Sequence, residues 1–362
     1  MYRSIIMLTA VVTATVAFSK SDVSACFAAP DANSRMGYAP AWGFYAHEKI
    51  NALAVYLLPP EMLVLYKPAA HYLREHATDP DKRRYIVRAE GPRHFIDLDR
   101  YGEFPFEALP RQWDSAVKKF GADSLEAHGV LPWRIQQVMA MLTNAFKERN
   151  TASILKLSAD LGHYIADAHV PLHTSSNHNG QKTNQAGIHG FWESRLPELL
   201  AEKDWDFYLE RAVYIARPAE TIWQFILESA RAVDSVLKEE AALSRSWPVD
   251  QKYAYEWRKQ TVVRQYAAAY SNAYHERLAG MAERRMRQSI QAVANFWYTA
   301  WVNAGQPNLK GLYHPGIRGR TAGVFGTSTK TNANRMPEDG WEMVDSLSHY
   351  WRTQPIKGRS CD

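Results

Sequence analysis

The chain has 362 residues, of which 46% are hydrophobic and 12% aromatic, and this composition is ample for a large core and excludes a wholly disordered chain. Its 43 basic and 38 acidic residues give a formal net charge of +5. That mild excess suits an anionic substrate and equally an ordinary soluble surface. At about 150 residues per domain the length allows two domains, although single helical domains of such length exist.

The N-terminal segment has the pattern of an export signal. Arg3 supplies a short positive region, and residues 5–18 form an uncharged apolar run that is too short to remain as a membrane anchor. No later stretch is long and apolar enough to predict a transmembrane helix. The two cysteines are Cys26 and Cys361, so we expect no disulfide in the mature core. We predict a secreted or periplasmic protein, with residues 1–41 as export signal and leader.

From residue 42 to residue 307 the hydrophobic pattern is helical. Apolar residues recur at intervals of three and four at Ile135, Val138, Met139, Leu142 and Phe146, at Ile222, Phe225, Ile226 and Val233, and at Met286, Ile290, Val293 and Trp297. Alternating strand patterns of useful length are scarce. We therefore predict an all-α fold, a single-domain multi-helix bundle over residues 42–307. Residues 308–362 are rich in Gly, Thr, Asn, Ser and Arg and predict a flexible tail.

Two histidine–carboxylate pairs, each with a spacing of four residues, are candidates for metal binding. They are His163–Asp167 and His189–Glu193, and His173 lies between them, two residues after Pro171, which ends the first helix. Residues four apart share one helix face, so each pair can bind one cation. Imidazole and carboxylate are ligands that zinc takes. One pair could arise by chance, but two pairs with a further histidine in one short stretch predict a metal centre.

Other segments carry candidate ligands whose individual signals are weak. Trp42 and His47 lie near the start of the helical region, and Asp79, Asp81 and His94 follow. A lone histidine such as His47 or His94 is more often a packed or surface residue than a ligand.

Several conspicuous residues near these ligands have plainer interpretations. We expect His169 to pack, His178 to face solvent and Trp192 to lie in the core. The run Lys82-Arg83-Arg84 is interpreted as a solvated face. Phe95 could stack on a nucleobase or simply pack beneath the site.

In their order along the chain, these residues resemble the superfamily of zinc-dependent phospholipase C and S1/P1 nuclease. The matching series is Trp42, His47, Asp79, His94, the HxxxD pair His163 and Asp167, then His173 and the HxxxE pair His189 and Glu193. The resemblance extends from residue 42 to about residue 307. It implies an all-helical fold, a cleft that holds up to three zinc ions, and hydrolysis of phosphodiester bonds.

The resemblance also implies a ligand set for each ion. One zinc would be bound by Asp79, His94, His163 and Asp167, a second by His173, His189 and Glu193, and a third by the backbone amine and carbonyl of Trp42 with His47 and Asp167. Asp79 is preferred to Asp81 because its spacing to His94 fits the family better. Asp79 would also orient or deprotonate the attacking water, and Asp167 would bridge two ions. Asp97, Asp99 and Asp160 are candidates for orienting the ligand imidazoles, and Arg93 for contacting phosphate.

Trp42 can offer an amine only as the first residue of the mature chain, so we expect the mature N-terminus there. Because the apolar run ends at Phe18, this requires trimming by a second protease or a true start downstream of Met1. The remaining alternative is that the protein lacks that zinc.

The substrate branch stays open. Glu193 favours the phospholipase branch, whereas the short spacing from Trp42 to His47 and the Phe95 after His94 favour the nuclease branch. The substrate is therefore expected to be a phospholipid or a single-stranded nucleic acid. A non-catalytic zinc-binding protein and a helical interaction protein are the alternatives from other classes. The sequence makes no prediction of the oligomeric state.

Overall fold

Helices dominate the part of the chain that the computed structural model describes, which is residues 43–258 and 260–313. The predicted leader, Trp42 and residues 314–362 of the predicted tail lie outside the described residues. All described residues belong to one compact unit. None of their helices combines the length and apolar character needed to cross a membrane.

The first half of the fold is built from short helices that lead to two long ones. The α-helices are α1 (Phe44–Val55), α2 (Pro60–Tyr66), α3 (Ala70–Glu75), α4 (Asp79–Arg83), α5 (Trp113–Phe120), α6 (Ala122–Ala127), α7 (Leu131–Lys147) and α8 (Thr151–Ala168). Short 3-10 helices at His76–Thr78, Arg88–His94, Leu98–Arg100 and Pro171–Thr174 connect or follow them.

The second half adds two further long helices and one hairpin. After the short α9 (Ile188–Gly190), a π-helical turn (Phe191–Arg195) leads into α10 (Leu196–Leu200) and the long α11 (Pro218–Ser246). A 3-10 helix (Val249–Gln251) precedes β1 (Tyr253–Arg258) and β2 (Thr261–Tyr266), and α12 (Ala268–Arg277) and α13 (Met281–Asn303) complete the fold. The prediction of a mostly helical protein is confirmed.

The β-hairpin is the element that the sequence pattern did not predict. The strands pair in antiparallel register, from Tyr253 opposite Tyr266 to Arg258 opposite Thr261. Tyr, Trp and Val favour extended backbone because their branched or aromatic side chains pack on a pleated surface. The alternation of buried and exposed positions is weak here, because both faces of this two-stranded sheet are partly exposed.

Helix α8 is the centre of the packing. Its residues from Leu157 to Ala168 are all buried. Its middle is fixed by two polar contacts: Trp297 of α13 donates from its indole nitrogen to the Ser158 carbonyl at 3.0 Å, and the Ser158 and Tyr66 hydroxyls lie 2.7 Å apart. Because α8 carries His163 and Asp167, this packing fixes both side chains inside the protein.

Helices α1 and α8 approach closely at a glycine. Asn51 of α1 donates to the Ala159 carbonyl at 3.2 Å, and a Cβ atom added to Gly162 would lie 1.9 Å from Asn51 Oδ1. The approach brings the rings of His47 and His163 into a stack with centroids 3.9 Å apart. Because Gly162 has no side chain, α1 can pack closely enough against α8 for His47 to stack on His163.

We predict that Gly162→Ala destabilises the protein. Alanine in a helix interior usually gains about 0.5–1 kcal/mol over glycine, but here the new methyl would overlap the Asn51 amide, and overpacking typically costs about 1–3 kcal/mol. Equilibrium unfolding in denaturant measures the difference. In an Asn51→Ala background the same substitution should cost little, because the overlapping group is gone. A Gly162→Ala protein as stable as the parent would contradict this account of the contact.

Candidate metal centre

The predicted ligands among the described residues meet at α8 from several separate parts of the fold, except Asp79, whose place Asp81 takes. Helix α1 provides His47, helix α4 and the following 3-10 helix provide acidic and imidazole groups, and α8 provides His163 and Asp167. The chain after Pro171 and the α9 segment provide the rest. The side chains that converge are His47, Asp81, His94, His163, Asp167, His173, His189 and Glu193.

Asp167 is the point on which four imidazoles converge. Its Oδ1 lies 3.5 Å from His47 Nε2 and 3.7 Å from His173 Nδ1. Its Oδ2 lies 3.0 Å from His94 Nδ1 and 3.2 Å from His163 Nε2. The residue is fully buried, at 0% exposure. The two oxygens of one carboxylate thus face different imidazole groups, which is the geometry of a bridging ligand.

Three groups of side chains, two of which share His163 and its single free nitrogen, are candidates for holding a metal ion. They are His47, His163 and Asp167; Asp81, His94 and His163; and His173, His189 and Glu193, and within each group the ligand atoms lie within 4.8 Å of one another. Zinc binds nitrogen and oxygen ligands at about 2.0–2.2 Å, so atoms this close can share one ion after small side-chain movements.

The ligand imidazoles are oriented by backbone carbonyls. The Nδ1 atoms of His163, His173 and His189 lie 2.8, 2.5 and 3.0 Å from the carbonyl oxygens of Ala77, His94 and His178 respectively. A carbonyl can only accept, so each Nδ1 carries a proton and donates it. A ring held in this way presents Nε2 as a lone pair once it has no second proton, which is the usual way that proteins prepare a histidine to bind a metal.

Several buried polar atoms of the cluster lack a hydrogen-bond partner among the described residues. They include both carboxylate oxygens of Asp81 and of Glu193, Oδ1 of Asp167 and both ring nitrogens of His47. Buried polar atoms without partners are costly and uncommon in native proteins. A cation would satisfy these atoms together, so the donor set fits a metal.

The charges of the neighbouring rings keep the acidic ligands ionised. Burial alone would raise the pKa of Asp167, but His163 and His173 hold that pKa well below its ordinary value. Burial would likewise raise the pKa of Glu193, but His189 and His173 lower it to about 2. Both groups are therefore carboxylates at neutral pH, as metal ligands must be.

The surroundings shift the pKa values of two of the imidazoles in opposite directions. Burial and the neighbouring His163 lower the pKa of His47, so its ring is neutral and ready to bind a metal. Burial alone would lower the pKa of His173, but Asp167 and Glu193 outweigh it and raise that pKa to about 9. In the metal-free protein a proton therefore competes with the metal at His173.

Asp81, and not Asp79, lies with the other ligands. Asp81 is 1% exposed, and its Oδ1 lies 3.8 Å from His94 Nδ1 and 4.0 Å from His163 Nε2. Asp79 contacts its neighbours in the chain instead: its carboxylate lies 2.5 Å from Nδ1 of His76, in the preceding 3-10 helix, and 3.1 Å from Nζ of Lys82 in α4. Two residues turn a helix through about 200°, so only one of the two can face the cluster. The geometry therefore goes against the preference for Asp79 as ligand and catalytic group.

A buried ionic network lies behind His94 and contains a residue that the sequence analysis missed. Glu90 Oε1 is 3.9 Å from His94 Nε2, and Glu90 also pairs with Arg93 at 2.8 Å and with Arg83 at 3.5 Å. Arg83 in turn pairs with Asp160 at 3.0 Å. Glu90 precedes His94 by four residues, the same interval in reverse order as the HxxxD pair, and that spacing could have identified it.

The remaining predicted residues occupy ordinary structural positions. Asp97 lies 3.7 Å from His128 Nδ1, and Asp99 accepts from the Ser176 amide at 2.8 Å. Phe95 is 9% exposed, and its ring lies where a Cβ atom at Gly129 would approach it to 2.7 Å, so it packs beneath the site.

Two of the conspicuous residues have the plain roles expected of them. Trp192 is buried in the core. His169 is buried and packs against Phe225.

Comparison with known proteins leaves this geometry as the main evidence about the site. No protein-family model matches the chain, and no curated protein matches its sequence significantly.

We predict that Asp81→Asn lowers the amount of zinc that the protein takes up by about one equivalent, because an amide supplies no negative charge to an ion. Asp79→Asn is the matched control, since the same substitution two residues away removes only the contacts to His76 and Lys82. Atomic absorption after dialysis against zinc gives the stoichiometry. Loss of zinc from the Asp79 variant alone would reverse the assignment.

Proposed function

We propose that this protein is a metal-dependent phosphodiester hydrolase of the zinc phospholipase C type, which binds up to three zinc ions. The single observation that supports it is the buried carboxylate of Asp167 between four imidazoles. A carboxylate shared in this way suits ions held close together, and clustered ions suit phosphodiester hydrolysis because the reaction requires charge neutralisation at phosphate oxygens.

Zinc bound in such a centre would ionise a bound water near neutral pH and polarise a phosphate oxygen. The chain's own residues would have three roles. Asp167 holds four imidazoles together, the carbonyl-anchored histidines keep their Nε2 atoms in place, and Asp81 takes the role that the resemblance implied for Asp79. Both oxygens of Asp81 are buried without a hydrogen-bond partner among the described residues, so one of them can accept the proton of an attacking water.

A phospholipid is the substrate class that we favour. Glu193, whose two oxygens lie 3.0 Å from His189 Nε2 and 3.4 Å from His173 Nε2, is the variant of the last ligand that resembles the phospholipase branch. Two features favour a nuclease, the spacing from Trp42 to His47 and the ring of Phe95. The second of them loses weight, because a ring that is 9% exposed and packed on Gly129 offers little surface to a base. Export, as the apolar run at residues 5–18 predicts, would bring such an enzyme to lipid outside the cytoplasm.

We predict that Asp167→Asn lowers phosphodiesterase activity by more than about 100-fold and lowers metal content at the same time, because it removes the charge that binds the imidazole groups together. The matched control is Asp234→Asn, an exposed residue that pairs with Lys238 on its own helix at 2.7 Å. Metal analysis and hydrolysis of a chromogenic phosphodiester are measured on the same samples. An Asp167→Asn enzyme with full activity would exclude the bridging role.

We also predict that a chelator abolishes hydrolysis of phosphatidylcholine and that zinc restores it. The assay compares phosphatidylcholine and single-stranded DNA side by side, with diglyceride and nucleotides as the products. Release of nucleotides alone would indicate a nuclease and not a phospholipase. Retained zinc with no hydrolysis of either substrate would favour a non-catalytic zinc-binding protein.

A further inference from the structure

The hairpin formed by β1 and β2 has two unlike faces. Side chains alternate between the faces of a strand, so Tyr253, Tyr255 and Trp257 share one face with their partners Tyr266, Arg264 and Val262. We call this the outer face. The inner face carries Ala254, Glu256 and Arg258 with Gln265, Val263 and Thr261.

The hairpin is attached to the body of the protein by its inner face and by its Tyr253–Tyr266 end, which we call the base. Glu256 pairs with Arg195 at 2.5 Å, and Arg195 Nε donates to the Tyr266 carbonyl at 3.0 Å. The Tyr266 ring stacks on Phe191 with centroids 3.7 Å apart. Phe191 and Arg195 are the two ends of the π-helical turn that carries Glu193. The hairpin is therefore fixed to the segment that provides a candidate metal ligand.

The outer face beyond this base is left to solvent. Tyr255 and Trp257 are 75% and 74% exposed, and Val262, which pairs with Trp257, is 45% exposed. Large apolar side chains that lie together on a surface usually mark a binding site. Trp and Tyr are particularly suited to a boundary between water and lipid, because each has an apolar ring and a polar group.

The charge of the outer face indicates which kind of surface it binds. It carries no acidic side chain, and its one charged residue, Arg264, is exposed and lies opposite Tyr255, with its guanidinium 3.8 Å from the centre of the Tyr253 ring. Glu256, the acidic residue of the hairpin, is on the inner face and is neutralised by Arg195. An apolar patch with a positive group beside it is complementary to anionic lipid headgroups over an acyl layer.

We propose that the outer face of the hairpin binds the surface of a phospholipid bilayer, with Tyr255 and Trp257 inserted at the level of the headgroups. The binding requires no catalysis. The consequence that a lipid in that bilayer is the substrate rests on the proposed hydrolase function.

Single-stranded nucleic acid is the competing occupant, and the composition of the face argues against it. Base stacking uses aromatic platforms together with a positively charged groove that follows the backbone. Here the ring of Trp257 is paired with the aliphatic Val262, which adds apolar area but no stacking surface, and one arginine does not make a groove. Insertion into lipid uses both the aromatic and the aliphatic groups.

The test is cosedimentation of the full zinc-loaded protein with vesicles of equal parts phosphatidylcholine and phosphatidylglycerol. The double variant Tyr255→Ala, Trp257→Ala should bind about tenfold more weakly than the parent, because two large rings no longer leave water. Tyr208→Ala is the matched control, since Tyr208 is 85% exposed and lies outside the hairpin. It should bind as the parent does. Circular dichroism of each protein checks that its helices are intact.

Three results would overturn the proposal. They are a parent protein that does not bind the vesicles, a double variant that binds as well as the parent, and a double variant that loses binding to an oligonucleotide but keeps vesicle binding. Vesicle binding without any phosphodiester hydrolysis would retain the surface and contradict the proposed function. Hydrolysis of a soluble short-chain phosphatidylcholine without vesicle binding would support the proposed function and contradict the binding surface.

Discussion

The charge of Asp167 is the constraint on which the rest of the structure depends. A carboxylate at 0% exposure is costly unless positive or hydrogen-bonding groups surround it. Here four imidazoles lie within 3.7 Å of its oxygens, and they come from α1, α8 and two segments outside these helices. Each of those elements must pack near the centre of the protein. The positions of a large part of the fold are therefore linked to the surroundings of one side chain.

The packing around α8 meets this requirement in two ways. The helix is buried along its C-terminal half, and its contacts with Trp297 and Tyr66 fix its position. The absent side chain at Gly162 then allows α1 to approach, so that His47 stacks on His163. Backbone carbonyls set the orientation of the rings. The cluster is thus oriented by main-chain groups and helix packing before any metal binds.

The inner face and base of the hairpin connect the candidate metal centre with an exposed surface. The π-helical turn holds Glu193 between Phe191, which packs on the hairpin base, and Arg195, which pairs with its inner face. The face that remains exposed is aromatic, aliphatic and basic. One short segment thus joins a buried cluster of ionisable groups to an exposed apolar surface beside a positive charge.

The sequence by itself determined the helical character and the two pairs of the cluster, because both depend on local periodicity. His163 and Asp167 meet at 3.2 Å, and His189 and Glu193 at 3.0 Å, as residues four apart on a helical turn should. The choice between Asp79 and Asp81 was beyond spacing, because it depends on which way α4 is rotated against α8, and that rotation is set by packing. The hairpin, with its weak alternation, likewise depends on neighbours distant in sequence. Local rules predict which residues share a face, and only tertiary packing decides which face turns inward.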